Sequence, residues 1–332
     1  MDLRVAGIGA GRRAQAHYRA LTQVEGAEVA AICDVDEGRA QEAAAPFGAE
    51  TYTDYRDMLD TEQPDAVYVI TPPNLHAEQV EYAATQKAAI FVEKPVALSV
   101  LDARRIRMAV EQGGVLCCVG YQHRYGSLAS RARELLAGRE LGMTRIWWYQ
   151  GVPKVPWNLD SAQGGGQIVE QATHLLDLCR LFGGEVDEVY AQFGRSAWKD
   201  DESFQNWDVY SGVFAFKTGA VGSVATTYAL FFGLPQSSGL DIVSEEMLLR
   251  FSGRDLQQIT PRGTEVHAPE QPSSEVRMAE AFLKAVDADD PSLLRSPLDD
   301  ALKTLALTLA FNRSTAESRP VAPAEIEAEI FA

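Results

Sequence analysis

The chain has 332 residues, of which 46% are hydrophobic and 23% charged, and 47 acidic against 30 basic side chains give a net charge of -17. Length and composition are typical of a globular protein with one large or two ordinary domains and enough residues for a buried core. The negative charge argues against nucleic acid and anionic membranes as partners, because binding phosphate requires concentrated cationic surface.

The cysteine residues and the hydropathy of the chain indicate the cellular compartment of the protein. The four cysteines, at positions 33, 117, 118 and 179, lie in apolar surroundings with spacings unlike those of zinc sites, so they are interpreted as buried, reduced thiols. A strand begins almost at Met1, which leaves no signal-peptide pattern. No apolar run approaches the roughly 20 residues of a membrane span. We therefore expect a cytoplasmic protein.

The first part of the chain, up to about Tyr121, alternates short apolar strands with amphipathic helices. The predicted strands cover residues 3–9, 28–34, 66–71, 88–92 and 115–120. The predicted helices cover residues 12–24, 36–47, 76–86 and 101–111. Apolar strands joined by helical crossovers form a parallel sheet that is covered on both faces, so residues 1–121 are predicted to be a doubly wound α/β domain.

The pattern changes after a predicted linking helix at residues 127–137. Longer strands are predicted over residues 144–151, 186–193, 210–216 and 220–230, and the last two read as an antiparallel hairpin. Further helices are predicted over residues 166–181, 275–286 and 298–316. Residues 122–332 are therefore predicted to form an α+β domain with a mostly antiparallel open sheet and helices on one face.

A glycine-rich turn follows the first predicted strand. Residues 9–14 read GAGRRA and fit the G-x-G-x-x-G/A pattern, in which glycines let the backbone approach a pyrophosphate at a helix N-terminus. A structural corner is the alternative, but a strand precedes this turn, a helix follows it, and Asp34 ends the next strand. A carboxylate there accepts hydrogen bonds from the adenosine ribose and repels a 2′-phosphate, which favours NAD over NADP. Arg12, Arg13 and Arg39 are possible phosphate partners.

Two further loops follow predicted strands at the edge of the sheet where ligands of open parallel sheets bind. Residues 71–76 read TPPNLH and residues 93–95 read EKP. Lys94 ends a very apolar strand, so we expect it to be partly buried, either beside a ligand or in a structural ion pair. Pro95 is compatible with a cis bond that would aim Lys94. The predicted cofactor contacts are Gly9, Gly11, Arg12, Arg13, Asp34, Thr71, Pro72, Asn74, His76, Glu93 and Lys94.

A helix predicted after residues 164–166 carries Glu170, His174 and Asp177. Their i, i+4, i+7 spacing places them on one face, where an acid can orient an imidazole for proton transfer. The alternatives are a solvated polar face, an acid that complements the helix dipole, or a structural His–Asp bond. The other histidines form no sequence cluster that would complete a metal site, so no metal is predicted.

The sequence as a whole resembles the Gfo/Idh/MocA oxidoreductases, the family of glucose–fructose oxidoreductase and inositol dehydrogenase. EKP and the His-bearing helix are together the most specific part of this resemblance. The segments that carry it are residues 8–12, 71–76, 93–95, 120–125, 164–177 and 300–305. The resemblance implies an N-terminal Rossmann domain and an α/β domain whose open sheet mediates homodimer or homotetramer contacts.

The resemblance also implies the chemistry, since the family mostly oxidises or reduces sugars, inositols and related cyclic compounds. Lys94 would lie between nicotinamide and substrate, and His174 would take up the proton of the substrate hydroxyl. Glu170 would share this catalytic role, although it stands where many members have Asp, and the neighbouring Gln171 also departs from the usual pattern. The candidate substrate contacts are His123, Arg124, Trp157, Gln171 and His174, with packing at a domain junction as the alternative.

The predicted function is NAD(H)-dependent hydride transfer at a carbinol or carbonyl carbon of a sugar, inositol or related polyol. Two alternatives stay open. One is an NAD-dependent glycosidase that oxidises, eliminates and then reduces the same sugar. The other is a non-catalytic, nucleotide-dependent sensor, which would account less well for Lys94 and His174.

Overall fold

The computed structural model describes residues 2–153, 155–230, 234–252 and 254–332. The chain divides into two units, one formed by Met1–Tyr125 with Pro272–Ala301 and the other by Gly126–Gln271 with Leu302–Ala332. The units differ from the predicted domains at two places, since residues 122–125 and residues 272–301 both belong to the first unit.

The first unit is built on a six-stranded parallel sheet. Its strands are β1 (Leu3–Ile8), β2 (Ala27–Cys33), β3 (Glu50–Tyr52), β4 (Ala66–Val69), β5 (Ala89–Val92) and β6 (Cys117–Val119). They pair in the order β3-β2-β1-β4-β5-β6. β4 and β5 are buried along their whole length, as expected where helices cover both faces of a sheet. The predicted doubly wound parallel sheet is confirmed.

Five helices alternate with these strands: α1 (Arg12–Leu21), α2 (Glu37–Ala44), α3 (Tyr55–Glu62), α4 (His76–Thr85) and α5 (Val100–Gly113). Asp36, Asp54 and Ser99 cap the starts of α2, α3 and α5 by accepting hydrogen bonds from backbone N–H groups. α1 differs because its N-cap is Gly11, which has no side chain to accept from the first N–H groups of the helix.

The second unit contains an eight-stranded mixed sheet. Its strands are β7 (Leu141–Tyr149), β8 (Val186–Gly194), β9 (Val209–Phe216), β10 (Val221–Thr227), β11 (Ser237–Ser244), β12 (Met247–Phe251), β13 (Leu256–Thr260) and β14 (Gly263–His267). They pair in the order β14-β13-β12-β11-β7-β10-β9-β8. Among the described strands only the β7–β10 pair is parallel, so the predicted mostly antiparallel sheet and the β9–β10 hairpin are confirmed.

Helices pack against one face of this sheet and leave the other face open. The helices after α5 are α6 (Ser127–Leu136), α7 (Ser161–Gly164), α8 (Thr173–Gly183), α9 (Ser274–Ala288), α10 (Leu298–Glu317) and α11 (Pro323–Ile330), of which α9 belongs to the first unit. On the covered face Phe214 of β9 packs edge-on against Phe311 of α10, with 6.0 Å between ring centroids. Within the described ranges, none of the helices has the length and hydropathy that a membrane span requires.

Helix α9 explains why residues 272–301 belong to the first unit. Its Phe282 is completely buried, and the ring centroid lies 5.7 Å from that of Tyr68 on β4 and 6.0 Å from that of Phe91 on β5. Tyr68 and Phe91 themselves stack at 4.5 Å. The returning helix therefore supplies a central part of the core under the parallel sheet.

Candidate active site

The glycine turn between β1 and α1 contains two glycines with different roles. The fold requires glycine at the first, and the second leaves the N-terminus of α1 unobstructed. Gly9 has a φ of +108°, and a Cβ there would lie 2.2 Å from the carbonyl oxygen of Ile70. Gly11 has an extended backbone, is exposed, and has no described atom within 4 Å of the position of a Cβ. The N-terminus of α1 is thus open to an anion that its first backbone N–H groups can bind.

Asp34 lies against this turn, at the end of β2. Its Oδ2 accepts a hydrogen bond from Ala10 N at 2.9 Å, and its Oδ1 accepts from Asp36 N at 3.0 Å and from Arg39 Nη2 at 2.9 Å. Because a carboxylate has about four acceptor positions, these three donors leave room for about one ribose hydroxyl. The predicted NAD contacts Gly9, Gly11 and Asp34 are thus brought together, and the arrangement suits an adenosine diphosphate.

The loop after β4 is held by hydrogen bonds of its own side chains. Thr71 Oγ1 donates to Gln79 Oε1 at 2.6 Å. The His76 ring is completely buried, with Nε2 3.0 Å from the Thr71 carbonyl oxygen and Nδ1 3.2 Å from that of Val96. Burial lowers the pKa of His76, while the carbonyl oxygens of Thr71 and Val96 act in the opposite direction. His76 therefore ties the loop after β4 to the loop after β5, and its direct contact with a cofactor stays a prediction.

The EKP segment follows β5 at the same edge of the sheet. Lys94 is partly buried, as expected, and its peptide bond to Pro95 is cis. Glu93 is buried and accepts hydrogen bonds from Arg13 and His17 on α1. These protein groups already donate hydrogen bonds to its carboxylate. The predicted contact of Glu93 with the cofactor stays a prediction.

In the second unit, the segment that carries His174 does not form the single regular helix predicted over residues 166–181. Ile168–Ala172 is a π-helical turn, and α8 begins after it. A π turn closes i→i+5 hydrogen bonds and so contains about one residue more than an α turn. Glu170 lies within this turn, so the regular helix predicted over residues 166–181 is wrong at this point, and the shared face of Glu170, His174 and Asp177 stays a prediction. π turns of this kind occur frequently at functional sites.

The three polar residues of this segment differ in their surroundings. His174 is 8% exposed and Glu170 is partly buried. Asp177 is almost completely buried, and its Oδ1 accepts a hydrogen bond from Thr304 Oγ1 at 2.8 Å, which in turn accepts from Arg180 Nη1 at 2.7 Å. Asp177 therefore ties α8 to α10.

Gln171 belongs to a chain of hydrogen bonds that begins on β7. Trp148 Nε1 donates to Gln150 Oε1 at 3.0 Å, and Gln150 Nε2 donates to Gln171 Oε1 at 2.7 Å. An indole N–H can only donate, so it fixes which end of each following amide accepts. The amide nitrogen of Gln171 is consequently the end that remains available to donate a hydrogen bond. Gln171 precedes His174 by three residues.

The other predicted substrate residues have different surroundings. Trp157 is partly buried, and its carbonyl oxygen lies 2.6 Å from where a Cβ on Gly164 would be, so its loop packs directly against the start of the glycine-rich segment. In the first unit His123 is exposed, whereas Arg124 is buried and forms an ion pair with Asp300. The Arg124 side chain is therefore held in a structural contact, and its role with substrate stays a prediction.

Sequence reasoning missed two residues that the structure places in these networks. His17 lies four residues after Arg13 on the predicted helix, and this spacing could have indicated a shared partner. Gln150 lies in a predicted strand and carries no comparable signal. Among the described residues, no group of three His, Cys, Asp or Glu side chains is arranged to hold a metal ion.

Comparison with known proteins agrees with this geometry. Residues 3–121 match a family model described as "Oxidoreductase family, NAD-binding Rossmann fold", and residues 130–242 match the "GFO/IDH/MocA C-terminal domain". Myo-inositol 2-dehydrogenase of Thermotoga maritima is 28% identical over 70% of this chain and 71% of its own length. D-apiose dehydrogenase of Paraburkholderia graminis is 28% identical over 97% and 90%.

Solved structures show the same fold. A levoglucosan dehydrogenase crystallised with NADH superimposes with a TM-score of 0.84 at 22% identity, covering 97% of this chain and 99% of that one. Its likeness to this chain covers both the parallel and the mixed sheet. The two family models follow one another along the chain and together match well over half of it. The chain belongs to the Gfo/Idh/MocA family of NAD-binding oxidoreductases.

Proposed function

We propose that this protein transfers hydride between NAD and a carbinol or carbonyl carbon of a sugar, inositol or related polyol. Relatives named as dehydrogenases of inositol and apiose support this class of substrate. The observation that carries the proposal is the partly buried Lys94 after β5, on the sheet edge that also bears the glycine turn. A cation there is well placed to act on a group bound at the carboxyl ends of the strands.

The first unit supplies the groups that would hold the cofactor. Gly9 and Gly11 allow the first N–H groups of α1 to approach the pyrophosphate, and Asp34 accepts a hydrogen bond from the adenosine ribose. When bound, NAD supplies the hydride-accepting nicotinamide ring, which is chemistry that protein side chains lack.

The chain's own residues handle the proton and the developing charge. Oxidation of a carbinol moves the C–H electron pair with its hydrogen to the cofactor, and the hydroxyl proton must go to a base. We assign that base to His174, with Glu170 as its acidic partner. The ammonium group of Lys94 polarises the same oxygen and stabilises its negative charge as the proton leaves. In the reverse direction His174 returns the proton to the alkoxide.

Gln171 is the substrate contact with the clearest chemical preference. Its Oε1 accepts from Gln150, so its amide nitrogen is the end available to a ligand. We therefore expect Gln171 to donate to a substrate oxygen near the reacting carbon. Gln171→Glu keeps the length of the side chain but replaces the donor with a charged acceptor, so KM should rise while NADH affinity stays unchanged.

A substrate panel tests the proposed function. The protein is incubated with NAD and with polyols, aldoses and aryl glycosides, and both nicotinamide absorbance and released aglycone are measured. Net NADH formation that disappears in Lys94→Ala, and persists in a variant of the exposed Lys217, supports the proposal. Aglycone release without net NADH would indicate a glycosidase, and the absence of both reactions together with tight NAD binding would indicate a sensor.

We also propose that the open face of the second sheet forms a homodimer or homotetramer interface. Met143, Tyr190, Val213 and Val221 lie on this face and are 40–56% exposed. Val213→Asp should lower the mass measured by light scattering because it places a charge among these apolar side chains, whereas Leu101→Asp on exposed α5 should not. An unmodified protein that is already monomeric would contradict this proposal.

A further inference from the structure

The carboxylate of Glu93, the residue before Lys94, is surrounded by hydrogen-bond donors. Oε1 accepts from Arg13 Nε and from His17 Nε2, both at 2.7 Å, and Oε2 accepts from the Lys94 backbone N at 2.9 Å. Burial raises the pKa of Glu93, but the adjacent Arg13 and His17 lower it by more, so it lies well below its usual range. Because an ionised carboxylate can only accept, His17 carries a proton on Nε2.

Arg13, His17 and Glu93 are here called the Glu93 clamp. Its histidine and its carboxylate have little room to rearrange, whereas the Arg13 side chain is 38% exposed. Glu93 is 4% exposed and His17 is 1% exposed. The His17 ring packs against Phe91, with 5.0 Å between centroids. A Cβ on Gly120 would lie 3.0 Å from the carboxyl carbon of Glu93, so the carboxyl group rests directly against the backbone after β6.

The clamp connects the phosphate-binding helix to the lysine. Arg13 and His17 are four residues apart on one face of α1, the helix whose N-terminus faces the expected pyrophosphate. Both bind one oxygen of Glu93, and the other oxygen holds the backbone N–H of Lys94. The Glu93 carboxylate therefore links α1, which follows the glycine turn, to the backbone of Lys94.

We propose that the Glu93 clamp positions Lys94 for hydride transfer, so that Arg13 and His17 act on the reaction through Glu93 without touching the substrate. This inference rests on the role proposed for Lys94. A misplacement of about 1 Å at a reacting group can lower turnover by about 100-fold, which is why a buried clamp would matter to the rate. A clamp that only attached α1 to the sheet would change stability and NADH affinity but not kcat.

The test uses the whole protein and the panel compound that gives the fastest NADH formation. His17→Ala should lower kcat by about 10- to 100-fold while changing the Kd of NADH by less than about threefold. His17→Gln should recover most of the rate, because the glutamine amide can donate to Glu93 as Nε2 does. Leu21→Ala is the control, since Leu21 is buried on the same helix and should lower stability without lowering kcat.

Two further measurements separate positioning from structure. In a Lys94→Ala background, His17→Ala should lower kcat by less than about twofold, because residues that act as one unit are non-additive. Hydrogen exchange at the peptide containing Lys94 should accelerate in His17→Ala while β4 stays protected. This second readout requires no substrate.

The outcomes that would overturn the inference are distinct from failure of the proposed function. If Lys94→Ala is impaired but folded His17→Ala turns over normally, the clamp does not position the lysine. The inference would also be overturned if His17→Ala lowered kcat by the same factor in the unmodified protein and in Lys94→Ala. Unchanged hydrogen exchange at the peptide containing Lys94 would overturn it as well. Normal turnover in Lys94→Ala would instead remove the role of Lys94 itself.

Discussion

Substituting alanine for the two glycines of the turn after β1 should affect different properties of the protein. Gly11→Ala should lower NADH affinity, and Gly9→Ala should lower stability. In Gly11→Ala the backbone is already extended and the new methyl group meets no described atom within 4 Å. The free energy of unfolding should therefore stay within about 1 kcal/mol of the unmodified value. The methyl group nevertheless occupies the space where a pyrophosphate would approach α1. Losing one charge-assisted hydrogen bond costs about 1.5–3 kcal/mol, so NADH affinity should fall by at least about 10-fold.

Gly9→Ala should instead damage the fold. Its φ of +108° and the 2.2 Å approach of a Cβ to the Ile70 carbonyl oxygen should cost at least about 2 kcal/mol of stability. Urea unfolding followed by tryptophan fluorescence measures stability, and titration with NADH measures affinity. Gly142→Ala in β7 is the control, because the nearest atom to its Cβ is 3.6 Å away. Wild-type NADH affinity in Gly11→Ala would refute the assignment of the turn to the pyrophosphate.

Lys94→Ala should lower turnover, measured by steady-state kinetics, by about 100-fold or more. Lys94→Arg should not restore it, since a guanidinium is larger, planar and always charged. Near-normal turnover in Lys94→Ala would show that the lysine is structural. Asp34→Ser should narrow or reverse the preference for NAD over NADP, because it removes the charge that opposes a 2′-phosphate and releases Arg39, and calorimetric titration of both cofactors checks this. Equal affinities in the unmodified protein would contradict the role of Asp34. Glu170→Gln and His174→Asn should each slow turnover strongly, with the double variant little slower than either; losses that multiply would show independent roles.

The parallel sheet could be predicted because its central strands carry an unambiguous pattern. β4 and β5 are apolar at every position, and proline residues lie within three positions of both ends of β4 and of the carboxyl end of β5. β3 reads ETY and β13 reads LQQIT, so neither has the apolar alternation that identifies a strand. Both form because a neighbouring strand pairs with them, which is a contact that local sequence does not encode. No strand is predicted from β11 onward, although β12 reads MLLRF and is apolar at four of its five positions.

Local motifs indicated the candidate site residues but not how they are held. Lys94 follows an apolar strand and His174 follows a glycine-rich segment, so each was found from neighbouring residues. Glu93 and Arg13 are 80 positions apart, and their hydrogen bond depends on β1 and β5 lying in one sheet. The π turn at Ile168–Ala172 has no recognised sequence code, so a regular helix was the natural expectation.

The return of α9 to the first unit makes synthesis order matter for folding. As the chain leaves the ribosome, all six parallel strands are available long before Phe282, which completes the aromatic cluster on β4 and β5. Until then Tyr68 and Phe91 lack the cover that Phe282 supplies, and the nascent nucleotide-binding unit is open to chaperones and to aggregation. A fragment that ends at Tyr125 would keep this exposed core permanently, so expression of the nucleotide-binding unit alone requires residues 272–301 to be fused to it.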